Sequence, residues 1–288
     1  MESNISPAVI GQLITSVPAH LAGTGQPTFL GTGWDVEVYR WGNRVLRLPR
    51  RHQAHATLDV EYNWIEPATR DLVEAGYSVP TPRYRGEPTE LFPHPWLVSD
   101  HVPGTPIHTL PLGERGRAAR DVAVALAALH QPVPDTAPQN PYRNVPLHEK
   151  VRAFTHFAQK TNLPAFLHEA FQETISAAPW QGEKLWCHGD LHAGNILTGS
   201  DGVTGLIDFG DLGAGDPAVD YAVFYTVFTE QERADARVVL RSLGQPDDED
   251  VWLRARGWAT HLVAALLSSS SSDDQAIAEQ ALTLMEQS

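Results

Sequence analysis

The chain has 288 residues, 42% apolar and 19% charged, a globular balance that excludes a disordered or fibrous protein. Its net charge of −14, from 21 basic against 35 acidic side chains, speaks against nucleic-acid binding, which needs a basic surface. No apolar run approaches the roughly 18–20 residues of a membrane span, and Met1-Glu2-Ser3-Asn4 lacks the pattern of a secretory signal, so the chain reads as soluble and cytoplasmic.

Residues 5–22 carry apolar positions at helical spacing, with Pro7 near the start, and predict a short helix. Three strands follow as a meander. Thr28-Phe29-Leu30 leads into Gly31-Thr32-Gly33, residues 36–40 alternate, Trp41-Gly42-Asn43 is a tight turn, and residues 44–48 alternate again before Pro49. A helical pattern over 57–75 is interrupted at Pro67. Two further strands are predicted at 82–87 and 96–101, and the breaker-rich Val102-Pro103-Gly104-Thr105-Pro106 marks a domain boundary. Helices are then expected within 111–134 and through 146–178, and a hairpin at 195–198 and 203–208 around Gly199-Ser200-Asp201-Gly202. Beyond Asp216 the pattern is helical at 218–243 and 248–267. Ser268 to Ser272 reads as a low-complexity linker before a last helix from 273. The expected architecture is α+β with two lobes: a small, mostly antiparallel sheet in residues 1–102, and a larger, mainly helical unit in 103–288.

The densest chemistry lies in His188-Gly189-Asp190-Leu191-His192-Ala193-Gly194-Asn195, followed by Asp208-Phe209-Gly210. Phosphoryl transfer needs a group to orient the attacking hydroxyl, a metal on the nucleotide phosphates, a cation beside them and a cover against water. Asp190 fits the first role. Asn195 and Asp208, at the spacing of a kinase catalytic loop and metal-binding segment, fit as ligands of Mg²⁺, which accepts few protein ligands because phosphate and water complete its shell. On the third strand a kinase expects Lys, and this chain offers Arg47, with Glu61 on the next helix as its partner. Gly31-Thr32-Gly33 is a thin glycine loop, with Gly33 its candidate phosphate contact, and Trp34 and Asp35 follow at its tip. Ser99, Asp100, His101 and Val102 form the inter-lobe hinge, whose main chain would bind a purine above Leu197 and Ile207. The lone Cys187 precludes an internal disulfide and reads as a small core residue beside the loop.

This string, together with Ile207-Asp208-Phe209-Gly210-Asp211-Leu212-Gly213 and Asp216-Pro217-Ala218-Val219-Asp220, resembles the aminoglycoside and macrolide phosphotransferase family, from about Phe29 to the helix after Asp220. The resemblance implies a protein-kinase-like fold and an ATP- or GTP-dependent, Mg²⁺-assisted transfer to a small-molecule hydroxyl. Asp190 would be the catalytic residue and Asn195 and Asp208 the metal ligands, with Asp216 and Asp220 bracing the loop. Gly189 stands where protein kinases usually carry Arg, and no Ala-Pro-Glu segment follows, which favours a small-molecule acceptor over a protein. The segment Val45 to Arg51 is similar to macrolide phosphotransferases and tilts the acceptor that way. Asp211, Glu230 and Tyr225 are candidates for the acceptor site. Two other readings remain open at this point: a metal-dependent hydrolase built on His188, Asp190 and His192, and a nucleotide-binding module without catalysis, motivated by the missing Lys. No signal for an oligomeric state is present.

Overall fold

A computed structural model describes residues 5–33 and 35–287. Helix α1 (Pro7–Thr15) opens the chain. Its Ser6 cap accepts the Val9 N–H, and Pro7 sits where the first helical turn has no N–H to lose. Strands β1 (Thr28–Thr32), β2 (Val36–Trp41) and β3 (Arg44–Pro49) follow, then α2 (Ala54–Ala68), α3 (Arg70–Glu74), β4 (Pro82–Gly86) and β5 (Trp96–Asp100). The five strands form one antiparallel sheet in the order β1-β2-β3-β5-β4. One apolar cluster joins Leu46, Leu48, Trp96 and Val98 of the sheet to Ile10 and Leu13 of α1. A second joins Val36 and Leu97 to Ala54 and Leu58 of α2.

The predicted break at Pro67 falls two residues later. Pro67 is accommodated in the last turn of α2, and the helix ends at Thr69, whose hydroxyl donates to the Ile65 carbonyl at 2.7 Å. Proline removes one backbone donor, so near a helix end it terminates the run without displacing what precedes it.

The remainder is mainly helical, with short strands inserted. β6 (Thr105–Pro106) precedes α4 (Gly116–Leu129), α5 (Val151–Lys160) and α6 (Ala165–Thr174). Then come β7 (Leu185–Cys187), β8 (Ile196–Gly199), β9 (Gly202–Leu206) and β10 (Gly213–Gly215). The chain closes with α7 (Ala218–Tyr221), α8 (Val223–Thr226), α9 (Glu230–Ser242), α10 (Glu249–Leu267) and α11 (Ser272–Glu286). The β8–β9 hairpin matches expectation. β6, β7 and β10 are too short to have shown in the sequence, and β6 and β10 also carry Pro or Gly. β7 pairs with β10, and β6 extends the hairpin.

The large core gathers Val122 and Leu126 of α4, Phe171 of α6, Tyr221 and Phe224, and Trp258 and Val263 of α10. It also takes Ile65 and Leu72, so α2 and α3 tie the sheet layer to the helices. The serine run is no linker. Ser269 is buried and donates to Asp274 at 2.6 Å, and Ser271 caps α11, which makes the run a tight corner between two packed helices.

Candidate active site

The catalytic segment lies between β7 and β8, held at both ends by backbone-directed side chains. Asp220, fully buried, accepts the N–H of His188 and of Gly189, each at 2.8 Å, and His130 Nε2 at 2.9 Å. Burial opposes its charge, but the bond from His130 and the nearby His188 outweigh that and hold its pKa below the ordinary range. Asp220 thus braces the loop as expected. Asp216 does not: its carboxylate pairs with Arg254 of α10 at 2.6 Å and accepts the Ala218 N–H. Gly189 has φ +84°, and a Cβ there would sit 2.4 Å from the Asp211 carbonyl oxygen. Glycine at this position is therefore a steric requirement.

His188 is fully buried, and both ring nitrogens face backbone: Nε2 the Ile207 carbonyl at 2.9 Å, Nδ1 the Asp190 N–H at 3.3 Å. His192 Nδ1 accepts the Gly194 N–H at 3.0 Å. A metal site on His188, Asp190 and His192 would have to dismantle the loop, so the hydrolase reading is set aside. Cys187 is fully buried and its thiol is pushed well up by that burial, the opposite of an activated nucleophile.

Asn195 donates its side-chain N–H to the Asp190 carbonyl at 2.9 Å, which turns its amide oxygen away from the loop. The Ile207 N–H donates to the Asn195 carbonyl at 3.0 Å, so Asp208 emerges beside Asn195 at the end of β9. Asp208 has φ +66°, alone among the described non-glycine residues in lying at positive φ. Asp tolerates that region better than most residues, but the conformation still costs roughly 1–3 kcal/mol and clusters at functional sites. An amide oxygen and a carboxylate brought together in this way are a donor set that fits Mg²⁺.

Arg47 on β3 links the sheet to that pair. Its Nη2 lies 2.7 Å from Glu61 Oε1 on α2 and 3.2 Å from Asp208 Oδ1, and its buried Nε has no hydrogen-bond partner among the described residues. Burial opposes the Arg47 charge, yet Glu61 and Asp208 raise its pKa above its ordinary value. Glu61, 2% exposed, is pushed up to about 7 by burial despite Arg47. Asp208, its side chain about half exposed, is held below its usual range: the desolvation that opposes its charge is outweighed by Arg47 and His188. The missing Lys is thus replaced by a guanidinium in an ion-paired triad, which removes the motive for a non-catalytic reading.

The residues expected around a nucleotide are placed less uniformly. Gly33 donates its N–H to Val36 O at 2.8 Å to close the β1–β2 turn, so that N–H is unavailable to a phosphate. Trp34 lies outside the described residues. Ser99 is fully buried with an unpartnered hydroxyl. The His101 N–H is spent on Asn43 O at 3.0 Å, an extension of the β3–β5 ladder past its last pair, and cannot serve a purine. Leu197 on β8 pairs with Pro106 just past the hinge, and the Val102 side chain packs close to Gly205 on β9. Val102 and Leu197 therefore meet in one layer, with Ile207, partly buried, at the end of the same hairpin.

The side of Asp190 away from Asn195 holds the residue that sequence reading missed. Arg143, in the loop between α4 and α5, donates Nη2 to Asp190 Oδ1 at 2.7 Å and Nε to Asp211 Oδ2 at 3.0 Å. Asn140 donates to Asp211 Oδ1 at 2.8 Å. Both Asp211 oxygens thus already accept hydrogen bonds within the protein, so the residue expected at the acceptor site serves first to anchor Asn140 and Arg143. A small concavity beside Asp190 is lined by Arg143, Leu191, Val219, Ala222, Trp258 and Leu262. Neither Glu230 nor Tyr225 belongs to it. Glu230 is exposed in the first turn of α9, and the Tyr225 hydroxyl bonds to the Trp252 carbonyl while its ring lies under Arg233. Arg143 sits in a Pro- and Asn-rich stretch without periodicity, so no pattern pointed to it.

An antiparallel sheet over a helical body, with an aspartate loop, a metal-type Asn/Asp pair and a buried ion pair from the sheet, defines a kinase-like small-molecule phosphotransferase. The chain belongs to the phosphotransferase enzyme family, whose sequence model matches residues 27–258. It is 30% identical over 207 residues to the uncharacterized protein YcbJ of Bacillus subtilis (strain 168), a match that covers 66% of this chain and 65% of that protein. In fold it is similar to the GDP and kanamycin complex of APH(2")-IIia, with a TM-score of 0.67 at 18% identity over 97% of this chain and 96% of that one. It is also similar to macrolide 2'-phosphotransferase MphH from Brachybacterium faecium, with a TM-score of 0.60 at 18% identity over 96% and 98% of the two chains. A third similar structure is the streptomycin–ATP–APH(2")-IIa complex, with a TM-score of 0.60 at 17% identity over 99% and 98%.

Proposed function

We propose that this chain transfers the γ-phosphate of ATP or GTP to a hydroxyl of a small molecule, with Mg²⁺ as cofactor. The observation that carries the reading is the convergence of Asp190, Asn195, Asp208 and the Arg47–Glu61 pair. In this reading residues 1–102 form the nucleotide lobe and 103–288 the acceptor lobe of a cytoplasmic enzyme. GDP in one similar structure and ATP in another support both donors as candidates. Macrolides and aminoglycosides, the substrates named for the similar enzymes, are the first acceptors to test.

Asn195 Oδ1 and Asp208 would hold the metal, which when bound screens charge on the β- and γ-phosphates. Arg47 contributes fixed positive charge to the phosphates, anchored by Glu61. The purine lies between the hinge and Leu197, and Val102 rather than His101 supplies the main-chain contact. Asp190 has one carboxylate oxygen on Arg143. Its other oxygen orients the acceptor hydroxyl and takes its proton as the bond to phosphorus forms.

The test is release of nucleoside diphosphate with a panel of macrolides, aminoglycosides and simple alcohols, each offered with ATP and with GTP. Asp190→Ala is expected to lower kcat by about 10²–10⁴-fold while nucleotide affinity stays within a few-fold. Near-normal turnover in that variant would remove Asp190 from the chemistry.

A further inference from the structure

The segment between α4 and α5 is irregular up to a single 3₁₀ turn at Leu147–Lys150, yet it is fastened along its length. Pro138 O accepts the Ala214 N–H at 3.0 Å. Asn140 Oδ1 accepts the N–H of Tyr142 at 2.8 Å and of Arg143 at 3.1 Å, while its Nδ2 donates to Asp211. Lys150 Nζ donates to Tyr142 O at 2.6 Å. On β10, Gly213 and Gly215 make room for the loop, since a Cβ at either would lie 2.4 Å from the Asn144 amide. Arg143 is therefore delivered to Asp190 and Asp211 by a strap docked on β10, and its side chain is only 21% exposed.

This strap sets the charge beside Asp190, the group an acceptor hydroxyl must approach. Each Asp211 oxygen already accepts a hydrogen bond, from Asn140 or Arg143, and the Asp190 oxygen not on Arg143 faces His192 Nε2 at 3.9 Å. Behind Arg143 and Asp190 the wall is apolar and closely packed, with Leu191, Val219, Ala222, Trp258 and Leu262 leaving room for no more than a water. Burial opposes the Arg143 charge, but Asp190 and Asp211 outweigh it and hold the guanidinium firmly protonated. An ammonium beside the reacting hydroxyl would meet a fixed cation and find its two nearest carboxylates already paired.

We propose that Arg143 is a specificity-determining residue: it excludes acceptors with an ammonium next to the reacting hydroxyl and admits neutral or acidic hydroxyl compounds. The proposal rests on the hydroxyl-kinase reading and narrows its acceptor class, taking kanamycin and other acceptors with an ammonium beside the hydroxyl out of the set that reading would test first. Like-charge juxtaposition is a recognised means of rejecting a wrong ligand.

Two measurements test it. Calorimetric titration with kanamycin, a polycation, needs no turnover. Wild type and Arg143→Lys, which keeps the charge, are expected to bind it weakly or not at all, and Arg143→Gln to bind it at least about tenfold more tightly. Kinetics with a neutral polyol, a sugar acid and kanamycin should show Arg143→Gln shifting the ratio of kcat/KM toward the amine by about tenfold, on top of whatever common loss of kcat follows from taking a partner from Asp190. Tight kanamycin binding by wild type or Arg143→Lys overturns the proposal, even where Arg143→Gln fails to fold. So does an unchanged ratio of kcat/KM between acceptors in Arg143→Gln, which would make Arg143 a support for Asp190 alone. The expected binding contrast without any acceptor turned over supports the proposal and counts against the kinase reading.

Discussion

At the scale of single residues, the site is built from groups whose second partner is backbone. Asp220 holds two successive N–H groups, His188 ties the loop to Ile207, and Asn195 ties it to Asp190. Such bonds fix where a carboxylate points before any ligand arrives, which is the condition for positioning a hydroxyl against a phosphate. Gly189 is the most exacting of these positions, because it combines positive φ with contact to the Asp211 carbonyl. Gly189→Ala is expected to lose roughly 1–3 kcal/mol of stability in denaturant unfolding and to lower kcat far more than it raises the nucleotide Kd. The motif made Asp190, Asn195 and Asp208 legible, because a loop between two strands imposes a spacing. Arg143 was not legible: it lies 47 residues before Asp190 and meets it only through the docked strap.

At the scale of elements, β3 and α2 do the work of coupling the sheet to the catalytic segment. Arg47 and Glu61 are 14 residues apart, on a strand and the helix that follows it, and their pairing was readable from that order alone. The pH response is a property of this pair. Folded Glu61 titrates at about 7 against an ordinary 4.5, so the folded state binds the extra proton between those values. Stability contributed this way is full below pH 4.5 and is lost as pH rises toward 7, by about 3 kcal/mol in all. Asp208 is shifted the other way: its contribution is present above its ordinary value of 3.8 and is lost at lower pH, outside this window. Urea unfolding at several pH values should show the slope in wild type and its absence in Glu61→Gln. The same slope in both proteins would assign it to another group. Elements whose limits were misjudged failed for local reasons: Pro67 is tolerated within a helix end, and the serines after α10 are consumed by a cap and a buried hydrogen bond.

At the scale of the whole molecule, the proposed nucleotide site joins Arg47 of the sheet to Asp208 after the β8–β9 hairpin, so binding there would be linked to folding. A ligand that binds only the assembled cleft stabilises it by about 2.7 kcal/mol at one hundred times its Kd. Thermal melts with Mg²⁺ and ATP or GTP are expected to rise by several degrees in wild type and by much less in Arg47→Ala and Asp208→Ala. An equal rise in all three would place the nucleotide elsewhere.

By itself the sequence determined the order of strands before helices, the aspartate proposed as catalytic with its metal-type pair, and Arg47 in the place of lysine. These follow from local periodicity and short spacings, which the chain imposes on itself wherever it folds. Only the tertiary structure decided which of those groups remain free for a ligand. The N–H groups of Gly33 and His101 and the carboxylate of Asp211 were all candidates until strands and strap came together and used them. Whether a polar group is spent or available depends on neighbours remote in sequence, and buried polar groups are paired wherever packing allows.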